Sequence, residues 1–550
     1  MLRIGIIFTW IVTNSLNLIA QTTYQEVYEI FQQNCTNGCH TGVNPSGNLD
    51  LGASESQVYT NLVDVIPANT YAAEILKQKL VEPGYPERSY LLRKCNNGFD
   101  AQLALVNSAE GSPMPDGQPA LEDYEIEIIR QWILWGAEQN GTPVNADVIR
   151  NYYEIGGVSD VDKPLTPEEE GLEGYQVRFG PIFLNPGEEA EYIKQYRVVS
   201  DANKEVYRMK AAMHPYSHHW VVSKLDSEYE NQFEAGPMDV YTTSIQQIVV
   251  QHGSFVGIWA YSKEIELPLG TAIYQDSSAL LALNFHLANY NQDSICKASV
   301  YQNIYTHEVG SGNVELIAGT EQYGGENPSI LQIPPDGEEH VLTFSFTAPG
   351  ETYYFYALQG HTHSRGIDFD VYLRNPDGTK GEQIYEGFYD EEYEFNTGWY
   401  DFSHAPIRLW NELFEVNMDW GLLVEGTFIN NTEDTIGNGM MTTEEMHSLY
   451  YLYTRERPSV SVEEVGGTSK SVSIYPNPSI DEVMILLNGD AELIDADCFV
   501  YDVFGRLVQA KFDLTGEKLT IPRDGLKPGI YHFTLFQDSK IIGQGRWVFM

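Results

Sequence analysis

Residues 353–373 read YYFYALQGHTHSRGIDFDVYL, two strand-like runs meeting at Gly360-His361-Thr362-His363-Ser364-Arg365-Gly366. Side chains of a strand alternate between its faces, so His361 and His363 share one face and can chelate one ion while Thr362 points away. The same period of two recurs at 279–288, where Leu281, Leu283, Phe285 and Leu287 line one face and Asn284 and His286 the other. A third histidine segment, Met213-His214-Pro215-Tyr216-Ser217-His218-His219-Trp220-Val221-Val222, poses a geometric problem. Neighbours in a regular strand point oppositely, so joint ligation by His218 and His219 requires a strand start or a turn, which Pro215 and Ser217 permit. His214 is a further candidate ligand.

The run 437–450, Gly-Asn-Gly-Met-Met-Thr-Thr-Glu-Glu-Met-His-Ser-Leu-Tyr, adds three methionines and His447. Methionine is in general a core gap-filler, and composition alone does not choose Met446 over Met440 or Met441. Five imidazoles with one thioether suit a metal that alternates between a borderline and a soft oxidation state, which is copper. One all-His set and one His-His-Met set point to oxygen chemistry rather than metal storage.

In order and local sequence, the His-His pair, the strand histidine, His-Thr-His and Thr-x-x-Glu-Met resemble the type II copper monooxygenases, the family of peptidylglycine α-hydroxylating and dopamine β-monooxygenases. The resemblance spans about residues 170–458 and implies two copper-binding β-sandwich (jelly-roll-like) domains, 170–302 and 303–458. It places His218, His219 and His286 on an electron-storing copper, and His361, His363 and Met446 on the copper that binds O2 and carries catalysis. Two departures stand out. Between residues 142 and 458 the only cysteine is Cys296, where the animal enzymes have several disulfides, so rigidity must come from packing. Gln359 stands where the peptide-amidating enzymes carry a carboxylate-binding arginine, whereas Tyr450 matches a tyrosine near the substrate. Gln359 and Tyr450 are thus the substrate-side candidates, for a small molecule other than a peptidylglycine.

Upstream, Cys35-Thr36-Asn37-Gly38-Cys39-His40 resembles the c-type haem attachment signature, with three residues rather than two between the cysteines. A structural zinc site of Cys35, Cys39, His40 and Cys95 is the rival reading. Gly111-Ser112-Pro113-Met114-Pro115-Asp116-Gly117 follows, then a helical pattern from Leu121 to Ala137 with Ile126, Ile129, Ile133 and Gly136 at helical spacing and Trp132 and Trp135 flanking. A Met-Pro loop before a Trp-rich helix resembles exported cytochrome c-like domains. That implies a small all-α haem domain over 22–141, with Met114 as second axial ligand beside Cys35, Cys39 and His40.

After Arg455 the composition loosens into a linker at 459–468. Residues 469–550, with Tyr475-Pro476-Asn477-Pro478 and glycine turns at Gly505 and Gly529, resemble the β-sandwich sorting domain of the type IX secretion system. A plain β-sandwich adhesion module is the alternative. Residues 1–20 read as a signal peptide: Arg3, a mostly apolar stretch from Ile4, and a small residue at Ala20.

Bulk composition agrees. The 550 residues imply several domains, and 12% aromatics with 36 Tyr suit strands. A balance of 32 Lys+Arg against 78 Asp+Glu, net −46, argues against nucleic-acid partners. Five cysteines make no disulfide framework. The expectation is an exported multidomain protein, extracellular or on the outer-membrane surface: a monooxygenase that hydroxylates a C–H bond with O2. Two copper ions, haem c, and ascorbate or a protein electron donor would serve it. The alternative is a non-catalytic copper- and haem-binding electron carrier.

Overall fold

The alternation at 281–287 does form a strand, but burial reaches every residue of Leu280–Ala288, on both faces. Its position explains this: it runs through the middle of a five-stranded sheet, with a second sheet packed on one face and Phe233, Ile245 and Val249 clustered with Leu280 and Ala282 of the other. The computed structural model describes residues 21–458 and 472–550, except positions 199, 260–261, 311–312, 326, 388–401, 403–404, 440, 488–492, 503–505, 517 and 538–539. The expected signal peptide and linker lie outside the described residues. The chain divides into two compact units, 1–458 and 459–550.

The first unit opens with five helices: α1 (Thr23–Asn34), α2 (Glu55–Leu62), α3 (Tyr90–Cys95), α4 (Asp123–Leu134) and α5 (Ala146–Ile155). A capping box, in which Thr22 and Gln25 satisfy each other's backbone N–H groups, starts α1. Its apolar stripe of Tyr24, Val27, Ile30 and Phe31 is buried. Helix α4 buries Ile126, Ile129 and Ile133 as their spacing predicts, but also Glu127, Arg130 and Gln131. These polar groups face the sandwich that follows, where Gln131 Nε2 donates to Pro181 O at 2.7 Å and Asp100 binds both Arg130 (2.8 Å) and Arg178 (2.9 Å). Helical structure continues past residue 141 into α5, whose Tyr153 hydroxyl donates to Glu127 at 2.9 Å.

The first sandwich has strands β1 (Gly174–Leu184), β2 (Glu189–Arg197), β3 (Lys204–Met213), β4 (Ser217–Leu225), β5 (Met238–Asp239), β6 (Ser254–Trp259), β7 (Lys263–Glu266), β8 (Thr271–Gln275), β9 (Leu280–Ala288), β10 (Cys296–Glu308) and β11 (Val314–Glu315). One sheet runs β1-β10-β3-β8-β11 with β7 beside β3; the other runs β5-β2-β9-β4-β6. Phe179, Val206 and Val300 of the first meet Trp220, Leu283 and Phe285 of the second in one core. Burying each such side chain is worth roughly 1.5–3 kcal/mol.

The second sandwich has β12 (Ile317–Gln322), β13 (Gln332–Ile333), β14 (Glu339–Phe346), β15 (Thr352–Thr362), β16 (Gly366–Arg374), β17 (Lys380–Glu386), β18 (Ile407–Asn417), β19 (Leu422–Ile429), β20 (Ile436–Gly437) and β21 (His447–Thr454). Its sheets run β12-β21-β15-β18 and β14-β19-β16-β17, and β13 pairs with β20. Phe355, Leu358 and Leu449 pack there on Phe369, Val371 and Val424.

In the second unit, the described residues from 472 onward form their own β structure. A three-stranded sheet, Val472–Tyr475, Glu482–Leu487 and Lys518–Pro522, accompanies a four-stranded one of Leu507–Gly516, Leu493–Asp502, Gly529–Gln537 and Lys540–Phe549. They share a core that includes Val483, Ile521, Phe533 and Trp547.

Candidate metal centre

A β-bulge solves the problem of the adjacent histidines. On β4, Ser217 pairs with Leu287 and His219 with His286, so two residues of β4 oppose one of β9 and His218 is the extra one. A bulge re-aims the side chain it displaces, and here both rings turn toward His286. The ring centroids of His218 and His219 lie 4.9 and 5.0 Å from that of His286. From the second sandwich, the end of β15 brings His361 to 5.3 Å and the following turn brings His363 to 5.6 Å from His218. His361 is also 5.7 Å from His219. All five sequence-predicted histidines therefore converge. Their ligand atoms form two groups, His218-His219-His286 and His218-His361-His363, each spanning no more than 4.8 Å.

The donors are enclosed. His218, His286 and His363 are at most 2% exposed. Both ring nitrogens of His218, Nδ1 of His286 and Nδ1 of His363 have no hydrogen-bond partner; the nearest acid to His286 Nδ1 is Glu191 Oε2 at 4.0 Å. Burial, then the neighbouring imidazoles, holds His218 and His361 far below the usual histidine range, and the same causes bring His363 to about 4. Neutral imidazole is the form that binds metal. Four orphaned nitrogens in one place would each cost about 1–3 kcal/mol, so the cluster fits a metal better than it fits an empty core.

Carboxylates on β2 aim the rings. Glu189 Oε1 lies 2.7 Å from His286 Nε2, and Glu191 Oε1 lies 3.4 Å from His219 Nε2. Asn284 links them, its Oδ1 3.0 Å from His219 Nε2 and its Nδ2 donating to Glu191 at 2.8 Å. Such outer partners fix which nitrogen of each ring is left for a metal. Glu189 and Glu191 are two apart on a strand, the same period that marks His361 and His363. Sequence reading passed over them.

The methionine segment is held by Glu445, which is fully buried and accepts the backbone N–H groups of His363, Arg365 (2.9 Å) and Met446 (2.8 Å). Thr362 pairs with His447 and His361 with Ser448, and the N–H groups of His363 and Met446, just beyond these strand ends, share Glu445 Oε1. Glu189 also reaches this segment, accepting from Thr442 N at 3.1 Å and Thr442 Oγ1 at 2.6 Å. It thereby ties the two sandwiches together at the cluster.

Two further histidine candidates are accounted for differently. His447 points away from the other five, into a cage of Tyr323, Phe344, Phe369 and Phe428, and its two nitrogens have no protein partner. His214 spends its ring on the turn before β4, with Nε2 3.0 Å from Ser159 O and Nδ1 accepting from Tyr216 N at 3.0 Å. Met441 is exposed, and Met440 lies outside the described residues. Gln359 and Tyr450 are paired across β15 and β21, and Tyr450 lies 5.7 Å from His361. Gln359 Nε2 donates to Ala405 O at 3.1 Å, which occupies its amide within the protein. Both residues line a mostly apolar cavity of about 40 Å³.

In the helical region, Cys35, Cys39, His40 and Met114 all line one cavity of about 700 Å³, with Leu49, Leu51, Leu80 and Leu91 as apolar wall. His40 Nδ1 lies 3.2 Å from Leu49 O, which leaves Nε2 for a ligand. Met114 is anchored by its backbone, donating to Lys94 O at 2.7 Å and accepting from Asn97 Nδ2 at 2.6 Å. Cys95 is buried on the same wall. Among the described residues the zinc quartet of Cys35, Cys39, His40 and Cys95 does not converge as the two histidine groups do.

Residues 473–544 match the secretion system C-terminal sorting domain. This is a secreted protein, delivered extracellularly or to the cell surface, and the type IX secretion machinery is a partner. No curated protein matches the chain. Among solved structures, a Bifidobacterium dentium beta-glucuronidase complexed with coumarin-3-O-glucuronide is 11% identical, covers 38% of this chain and 39% of that one, and has a TM-score of 0.10. A glycosyl hydrolase family 2 member from Bacteroides cellulosilyticus (10% identity, 38% and 28% coverage, TM-score 0.11) and a beta-1,2-glucanase from Parabacteroides distasonis (9%, 44% and 33%, 0.12) are similar to the same slight degree. This chain spans about two-fifths or less of each, and TM-scores this low carry no argument.

Proposed function

We propose that this protein is an exported copper-dependent monooxygenase that hydroxylates a C–H bond of a small substrate with O2, with a fused c-type haem domain as its electron entry. The observation that carries the reading is the enclosed cluster of five histidines with orphaned nitrogens, next to a pinned methionine segment. Imidazole with thioether is a donor set suited to copper. Bound copper would supply O2 binding and one-electron chemistry. The chain's own residues prepare the place: Glu189 and Glu191 orient His286 and His219, Glu445 holds the backbone of both His363 and Met446, and Tyr450 lies between His361 and a small apolar cavity that it lines with Gln359.

The 700 Å³ cavity supports haem over zinc, because it gathers two thiols, an oriented imidazole and a thioether within an apolar wall. Haem c held by Cys35, Cys39, His40 and Met114, in a cytochrome c-like domain, would supply one-electron relay. The burial of the histidine cluster favours one other reading, a non-catalytic copper and haem electron carrier.

Elemental analysis of the exported, copper-reconstituted protein, followed by O2 uptake with a reductant and candidate substrates, separates the readings. Two Cu and one Fe per chain with substrate-dependent O2 uptake is the expected result. Full metal without O2 uptake establishes the carrier, and absence of copper refutes both. Met114→Ala should slow turnover driven by a protein electron donor; unchanged turnover refutes the relay.

A further inference from the structure

His218 is the residue that the two histidine groups have in common, and its surroundings differ from those of the other four. It is 2% exposed and neither of its ring nitrogens has a hydrogen-bond partner. His286, by contrast, gives Nε2 to Glu189, and His219 has Nε2 engaged by Asn284 and Glu191. Each of those rings therefore has one nitrogen left for a metal, whereas His218 has two. It has ring neighbours from both sandwiches: His219 and His286 at 5.3 and 4.9 Å, and His361 and His363 at 5.3 and 5.6 Å. The two groups share His218 without merging into one larger group, which is the pattern of two adjacent metal positions rather than one.

Resting on the copper reading above, we propose that His218 bridges two copper ions, each ring nitrogen ligating one, so that the cluster holds a coupled pair instead of two isolated centres. One ion takes His219 and His286 as its other imidazoles, and the second takes His361 and His363. A neutral imidazole offers one lone pair. To offer two, His218 releases its remaining N–H proton to solvent as the second Cu(II) binds, and no electron is transferred. Two dications on one ring stabilise the resulting imidazolate, as metal ions do for any coordinated acid. The β4 bulge is what makes the bridge geometrically available, since it turns the displaced ring toward β9 and β15 at once.

The test is a spin count on the full-length protein reconstituted with Cu(II) sulfate. Low-temperature paramagnetic resonance is integrated and compared with total copper from elemental analysis, at one and at two ions per chain. A bridge gives a full isolated signal at one ion and loss of most of the signal at two. His218→Ala loaded to two ions should regain full intensity. The wild-type count stands without that variant should it fail to fold. Two bound coppers with full spin intensity overturn the bridge and leave the copper reading intact. A single copper per chain overturns the pair. No bound copper overturns the copper reading itself.

Discussion

Glu189→Ala should loosen both the cluster and the joint between the sandwiches. Glu189 bonds both a histidine of the first sandwich, His286 at 2.7 Å, and the methionine segment of the second, Thr442 Oγ1 at 2.6 Å and Thr442 N at 3.1 Å. Its side chain is 16% exposed. Three hydrogen bonds to a carboxylate, discounted for partial solvent screening, are worth about 1 kcal/mol each, or about 3 kcal/mol together. With a urea slope of about 2–3 kcal/mol/M, that lowers the unfolding midpoint of the copper-free chain by about 1 M. Trp220, fully buried in the first sandwich, is a fluorescence reporter. Losing the partner that orients His286 should also weaken copper binding about 10- to 100-fold in a competitive titration. Thr442→Val removes only one of the three bonds and should give a smaller midpoint shift. Burial alone would raise the Glu189 carboxyl, but the bonds from His286 and Thr442 outweigh it and hold it at about 2. The contribution is therefore full above the ordinary carboxylate range and disappears as pH falls toward 2. Wild-type midpoint and copper affinity in Glu189→Ala would refute the clamp.

Glu445→Ala strips the acceptor from the N–H groups of His363, Arg365 and Met446. A two-site copper titration should show one site weakened about tenfold or more and the other close to wild type. Asp100 and Glu127 join the helical region to the first sandwich; burial would raise them, yet Arg178, Arg130 and Lys297 hold both at about 2. That stabilisation is present above the ordinary carboxylate range and lost as pH falls from about 4 to 2, which near-ultraviolet dichroism against pH will follow. Arg130→Met leaves both acids buried without their shared cation and should cost about 3–5 kcal/mol in urea unfolding. His447→Leu should leave copper content unchanged, because His447 sits in its aromatic cage. Burial lowers that ring to about 3, so the wild type loses stability as pH drops below the ordinary histidine range while the leucine variant does not. Between pH 7 and 5 the difference should reach about 2 kcal/mol in the variant's favour.

Local spacing alone determined which segments are strands or helices and which residues are candidate donors. Alternation placed His361 and His363 on one face, and the 3.6-residue period placed Ile126, Ile129 and Ile133 in a helix core. The C-terminal turns marked the sorting domain that the 473–544 match supports. Each of these is a property of residues a few positions apart. Tertiary structure decided the rest. The polar face of α4 is buried because a sheet residue far along the chain, Arg178, shares Asp100 with Arg130. His218 and His219 act together through one bulge, which exists only in the register of β4 against β9. Glu189 and Glu445 acquire their roles from partners 97 and 82 residues away, beyond the reach of any periodic pattern. Two separate three-ligand sets were legible as residue types. Their convergence around His218 was not, since sheet register and the packing of one sandwich against the next fix where strand ends meet.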